Sequence, residues 1–223
     1  MTVEAREPIR SARRDATRER VLDAALVVFA ERGVFGGTVE EICEQAGFTR
    51  GAFYSNFEDK EDVLQALIER EHARLLAYVD ASLDLVSDGP GSLLEVAGDS
   101  ADTAGILGTI VERILASVPG DRNVSLVQTE MEIHAVRQPS SSRPFLEADA
   151  RFRARIVEFI ERGIALLGRE LTADAAGVAD AAVAIVERSI RRTLLSGGDD
   201  PDAMARAILP ALILGASRPA PAD

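Results

Sequence analysis

The 223-residue sequence contains one cysteine, two histidines and no tryptophan, and Lys60 is its single lysine. One thiol, Cys43, excludes an internal disulfide framework and a multi-cysteine metal centre, and its simplest role is that of a small buried hydrophobe. Two histidines, His72 and His134, leave little for nucleophilic or metal-assisted catalysis, and the sequence has neither a phosphate-cradling glycine loop nor a zinc-helix motif. No catalytic residue, cofactor or metal site is therefore expected. The tripeptide Gly98 to Ser100 has the look of a hydrolase serine, but without a neighbouring histidine it reads as a loop. Long apolar runs are also missing. The longest, such as Ala207 to Ala216, are too short to span a bilayer, and no signal-type run follows Met1, so a cytoplasmic location away from membranes is expected.

What is present is a chain with 47% hydrophobic residues, enough for a sizeable core, and a net charge of −12. That acidity weighs against nucleic acid only until it is divided along the chain. Residues 1–60 hold 9 Arg and Lys against 11 Asp and Glu, or −2, and the remaining residues hold 16 against 26, or −10. Within residues 1–20 six arginines face four acids. Residues 1–16 read as a flexible basic arm able to touch phosphate or, equally, as a solvated tail.

The most informative stretch runs from Thr38 to Lys60. Thr38 followed by Glu41 is a capping box, which predicts a helix from Val39 to about Gln45; Gly47 supplies a turn, and Thr49 caps a second helix carrying Arg50 to Phe57. Phe53 and Phe57 share one face, with Ile42, Ala46 and Phe48 completing a small apolar core. The opposite face offers Arg50, a bare Gly51, a small Ala52, Tyr54 and Asn56, with Ser55 beside them, a set of donors with little bulk between them that suits close approach to a DNA groove.

These residues resemble the TetR family of bacterial transcriptional regulators. The resemblance covers about 50 residues, from Thr17 through Gly33 and on through Thr38, Ala46-Gly47, Phe53-Tyr54, Phe57 and Lys60. Gly37 departs from the usual Thr or Ser, and Cys43 from the usual Ala. The resemblance implies an N-terminal three-helix DNA-binding head on a larger helical body that dimerises and encloses an effector pocket. Arg50 is expected to read bases, and Thr38, Thr49, Tyr54 and Lys60 to hold phosphates.

The rest of the chain reads as helical, so the fold class is all-α with about nine helices. The first is expected from Thr17 to Gly33 and the fourth from about Lys60 to Val86. Three more are expected over Thr103 to Ser117, Arg122 to Arg137 and Arg143 to Gly168, and two last ones over Asp174 to Ser196 and Asp200 to Gly215, where Pro210 should kink the helix or cost it a hydrogen bond. No strand pattern is apparent. The domains follow as an arm, 1–16, a reading head, 17–60, and an effector and dimerisation domain, 61–223. Candidate pocket residues are Ile110, Ile114, Leu126, Met131, His134, Phe152 and Ile156. His134 lies one turn after Glu130, a pair more simply structural than metal-binding, and His72 reads as surface. Candidate dimer residues are Ala182, Ile185, Val186, Ser189, Ile190, Ile208, Ala211 and Leu212, on helices apolar on more than one side, although central burial would give the same pattern. The function expected is a homodimeric repressor of a palindromic DNA operator, released by a small, largely apolar ligand. The alternatives are a helical protein-interaction module and a regulator without a ligand.

Overall fold

Side-chain caps open three of the described helices: Thr38, Thr49 and Asp174 each accept from a backbone N–H in the first turn that follows. The computed structural model describes residues 7–87, 103–117 and 120–221. Among these residues there are nine helices: α1 Glu7–Arg32, α2 Val39–Ala46, α3 Arg50–Tyr54, α4 Lys60–Ser87, α5 Thr103–Ser117, α6 Arg122–Arg137, α7 Arg143–Leu166, α8 Ala175–Ser196 and α9 Ala203–Gly215. The all-α architecture is as expected. The breaker at 88–92 and the Gly98 to Ser100 tripeptide lie outside the described residues.

Helix α1 starts at Glu7, ten residues before the expected Thr17, so the chain is already helical through most of the span read as an arm. Helix α9 runs through Pro210 without a break. Two short strands were not anticipated: β1 Arg169–Leu171 pairs antiparallel with β2 Ser217–Pro219, with Glu170 opposite Arg218. Arg169 fixes this pairing by donating from Nε to Ser217 Oγ at 2.9 Å and from its terminal nitrogen to the Ser217 carbonyl at 2.7 Å. Three-residue strands are too short to show alternation, and their partners lie 48 residues apart.

The described residues form two compact units, Met1–Glu71 with Leu126–Leu146, and His72–Ser125 with Glu147–Asp223. The first turns of α4 and most of α6 fall in the first unit.

The core of the first unit contains Val21, Ala25 and Phe29 from α1, Ile42 from α2, Phe53 from α3 and Leu67 from α4, each no more than 1% exposed. Burying each large aliphatic or aromatic side chain contributes roughly 1.5–3 kcal/mol. Arg70, itself buried, ties α4 to α1 by ion pairs to Glu19 at 3.2 Å and Asp23 at 2.8 Å. Gly37 is closely packed: a Cβ there would meet Val28 and Phe29 side-chain carbons at 3.0 and 3.1 Å, so a larger residue requires those side chains to give way.

The second unit has two apolar clusters. Phe152, Ile156, Ile160 and Ile164 recur at four-residue spacing on α7 and bury against Val178 and Ala179 of α8. Leu107, Val111 and Leu115 of α5 bury against Ala205 and Leu209 of α9. Ala182 and Ile213 pack against both clusters. His72 is half-buried, not a surface residue: its ring stacks on Phe152 with centroids 4.5 Å apart and planes 20° from parallel.

Candidate nucleic-acid interface

The two reading helices are set by reciprocal caps. Thr38 Oγ1 accepts from the Glu41 N–H at 3.2 Å, and a Glu41 carboxylate oxygen accepts from the Thr38 N–H at 3.0 Å, the complete capping box. Helix α2 ends at Gly47, whose φ of 68° lies in the left-handed region, and the turn leads to Thr49, whose Oγ1 accepts from the Ala52 N–H at 3.3 Å. Two arginines of α1 hold this hairpin from behind. Arg20 donates to the Ala46 carbonyl at the end of α2 at 2.9 Å and lies over the Phe48 ring; Arg18 donates to the Asn56 carbonyl at 3.1 Å and lies over Phe57. A cation at a helix C-terminus and over an aromatic face is favourable on both counts. These two arginines, counted from sequence among the charges of the chain start, are thus committed to the head's own structure.

Thr38 holds the Glu41 carboxyl below its ordinary range, by its hydroxyl first and its backbone N–H second, with Arg32 adding a smaller lowering. Because the folded value is depressed, this linkage is fully present above the ordinary glutamate pKa and is lost as pH falls through the folded value. Thr38→Ala is expected to return the Glu41 titration upward, measured by carboxyl NMR, and to lower stability by about 1 kcal/mol at neutral pH. An unchanged Glu41 titration would contradict the cap assignment.

The structure divides the predicted DNA-facing residues. Thr38, Thr49, Arg50, Gly51, Tyr54 and Ser55 are exposed, and Ala52 is half-buried. Arg50 forms an ion pair with Glu40 of α2. Both partners are well exposed, so the pair contributes little to stability. Tyr54 presents its ring at 56% exposure, edge-on to the buried Phe53. Ser55 and Asn56 are turned otherwise than expected. Ser55 Oγ and Asn56 Nδ2 each donate to the Ala52 carbonyl at 2.8 Å, closing α3 at Tyr54 instead of letting it run to Phe57. Lys60 Nζ donates to the carbonyls of Phe35 at 3.2 Å and Gly37 at 3.0 Å, in the loop before Thr38. Cys43 is buried, and that burial pushes its thiol pKa up, as befits a core residue.

The candidate pocket residues fall in both units. Ile110, Phe152 and Ile156 are buried and Ile114 half-buried in the second; Met131 is buried, Leu126 exposed and His134 half-buried in the first. Of the candidate dimer residues, Ala182, Ile185, Val186 and Leu212 pack within the second unit. Ser189 is buried, its Oγ accepting from the Ala205 N–H at 3.3 Å, and Ile190 is half-buried. Ile208 and Ala211 are exposed, on a side of α9 shared with Ala203, Ala207 and Gly215. Central burial therefore explains much of the apolar pattern of α8, and the free small-residue stripe belongs to α9.

Fold and head together define an all-α protein with an N-terminal helix-turn-helix. Residues 21–67 match the family model for bacterial regulatory proteins of the tetR family. The HTH-type transcriptional regulator SrpR of Pseudomonas putida is 46% identical over 63 residues, 28% of this chain and 30% of that protein, so the chain matches under a third of SrpR's length. YdgC of Bacillus subtilis, also an HTH-type transcriptional regulator, is 26% identical over 199 residues, 89% of this chain and 92% of YdgC. The crystal structure of the transcriptional regulator FadR from Bacillus subtilis in complex with stearoyl-CoA superimposes with a TM-score of 0.63 at 20% identity, covering 88% of this chain and 98% of FadR. Over residues 21–67 the chain is thus similar to bacterial regulatory proteins of the tetR family, and over most of its length it shares the fold of such regulators. No helix among the described residues is long and apolar enough to cross a membrane.

Proposed function

We propose that the chain is a transcriptional repressor that reads a palindromic DNA operator as a homodimer. The observation that carries this is the exposed side of α3, where Arg50, Gly51 and Tyr54 stand clear while Phe53 is fully buried behind them. A planar guanidinium at the first turn can donate two hydrogen bonds to a guanine edge, worth about 1–3 kcal/mol of discrimination. Thr38, Thr49 and Tyr54 hold phosphate, fixing register without reading sequence, and Lys60 joins them with the N–H left over from its bonds to the Phe35 and Gly37 carbonyls. The exposed apolar stripe of α9 supports self-association, since two copies of one helix face can meet across a two-fold axis. A cytoplasmic site of action accompanies this reading.

Arg50→Ala is expected to flatten preference among operator variants. Lys60→Ala is expected to weaken all variants alike and to lower the slope of log affinity against log salt by about 0.9, one phosphate contact. Fluorescence anisotropy over a salt series measures both, and loss of one base preference in Lys60→Ala would overturn the assignment.

A small, largely apolar effector is part of the same reading. Its support is the wholly aliphatic and aromatic character of the clusters built on α5, α7, α8 and α9, and the acyl-CoA named with FadR, a protein of the same fold. To weaken operator binding a hundredfold, the effector must favour the DNA-free conformation by about 2.7 kcal/mol, and DNA must weaken effector binding equally. Fatty acids, acyl-CoAs and apolar drugs screened by thermal shift are expected to yield hits that release the operator. Hits that stabilise the protein and leave operator affinity unchanged would contradict the switch and leave DNA reading intact.

A further inference from the structure

Between the end of α1 and Thr38 the chain makes a loop, residues 33–37, whose polar groups are answered by two other elements of the first unit. The Val34 N–H donates to a carboxylate oxygen of Glu130 on α6 at 2.8 Å, across 96 residues of sequence. Val34 is 1% exposed, so water is poorly placed to replace that acceptor. Gly33 has a φ of 81°, and a Cβ there would stand 3.1 Å from the other Glu130 oxygen, so the carboxylate lies close against the loop backbone. One helical turn further on, the His134 ring packs on Phe35 with centroids 4.3 Å apart. Its Nε2 is 3.4 Å from Ser141 Oγ. From α4, Lys60 Nζ reaches the Phe35 and Gly37 carbonyls. An anion on α6 and a cation on α4 therefore fix the same five residues, and the next residue is the cap that starts α2.

We propose that Glu130 is a positioning residue for DNA recognition, acting from α6 through the Val34 N–H, with His134 supporting it on Phe35. This rests on the DNA-reading function proposed above. Neither residue lies on the exposed side of α3, and their effect is exerted through the place where α2 begins. A buried N–H left without an acceptor is costly, so without the carboxylate the loop shifts toward conformations that expose Val34. Those conformations tilt Thr38 and the reading helices away from the arrangement that meets a groove. Apparent DNA affinity then falls by the fraction of molecules still correctly set. The Glu130 and His134 spacing, which reads from the sequence as more simply structural than metal-binding, is accounted for by this hold on the loop.

The test uses the full chain and a duplex that the wild-type protein has selected from a randomised pool. Glu130→Ala is expected to bind that duplex about tenfold more weakly, the loss corresponding to a competent fraction near one in ten, with its salt slope unchanged because no phosphate contact has been removed. Glu130→Gln keeps an acceptor and is expected to stay within about threefold. Amide hydrogen exchange at Val34 should accelerate about tenfold in Glu130→Ala and little in Glu130→Gln. His134→Leu, which keeps an apolar partner for Phe35, should resemble wild type, and His134→Gly should move in the direction of Glu130→Ala. Faster Val34 exchange with unchanged DNA affinity overturns the positioning role and leaves DNA reading standing. A reduced salt slope also overturns it, because Glu130 would then be altering direct contacts. Failure of the wild-type chain to select any duplex overturns the DNA reading itself, and the inference with it.

Discussion

Gly51→Leu is expected to lose about a hundredfold or more in operator affinity, equivalent to roughly 2.7 kcal/mol, while melting no lower than wild type. The two effects separate because of where the missing side chain would lie. A Cβ at position 51 would meet nothing nearer than Thr49 Oγ1 at 3.8 Å, ordinary contact, so the folded head has room for a side chain. Leucine is also the better helix former by several tenths of a kcal/mol, which leaves stability unchanged or slightly raised. In the proposed complex the same space would be occupied by base edges, because the first turn of a reading helix must come close enough for Arg50 to reach them. Circular dichroism melts beside anisotropy titrations resolve the two effects. A folded Gly51→Leu protein with wild-type affinity would rule out this side of α3 as the docking face.

Phe53→Ala is expected to act in the opposite sense, on folding first. Phe53 is 0% exposed and packs against the rings of Tyr54 and Phe57, with centroids 5.2 and 5.8 Å away. Truncation of a fully buried phenylalanine costs about 3–5 kcal/mol, a large share of the roughly 5–15 kcal/mol that holds a typical domain together. DNA binding should disappear with the head's structure and return in part on cooling toward the temperature of maximum stability. Tyr54→Phe, one residue away and exposed, should leave the melt unchanged and lose only the phosphate contact proposed for the hydroxyl. Denaturant melts followed by near-UV circular dichroism distinguish the pair. Equal melts for wild type and Phe53→Ala would contradict the packing described for the head.

These two neighbours also show what can be read from the sequence and what cannot. Capping and turn chemistry is local, so Thr38 with Glu41, Gly47 and Thr49 announce their own roles, and the described helices from α5 onward begin and end within a few residues of the positions their flanking residues indicate. The four-residue recurrence of Phe152, Ile156, Ile160 and Ile164 likewise gives the buried face of α7 without a structure. Side-chain direction at the end of α3 is a different matter. Ser55 and Asn56 are polar residues beside a reading helix, and nothing in their order says that both turn back to the Ala52 carbonyl. Arg18 and Arg20 look like free charge until their partners, 38 and 26 residues further on, are seen. The β1 and β2 strands and the Glu130 bond to Val34 share that property: each is one short polar match between distant parts of the chain. The small residues of α8 carried an ambiguous signal, because internal packing and subunit packing ask for the same composition. Within the single chain Ser189 is buried and Ala182 packs partly against the core, while Ile208 and Ala211 of α9 are exposed.

The most direct test of the account is selection of duplex DNA from a randomised pool by the wild-type chain, with the bound fraction sequenced. The account predicts convergence on an inverted repeat whose half-sites are separated by whole helical turns, about 34–36 Å or a multiple of it, with a guanine at the position that Arg50→Ala ceases to distinguish. A pool that remains random after repeated selection, or that converges on a site without two-fold symmetry, would contradict it.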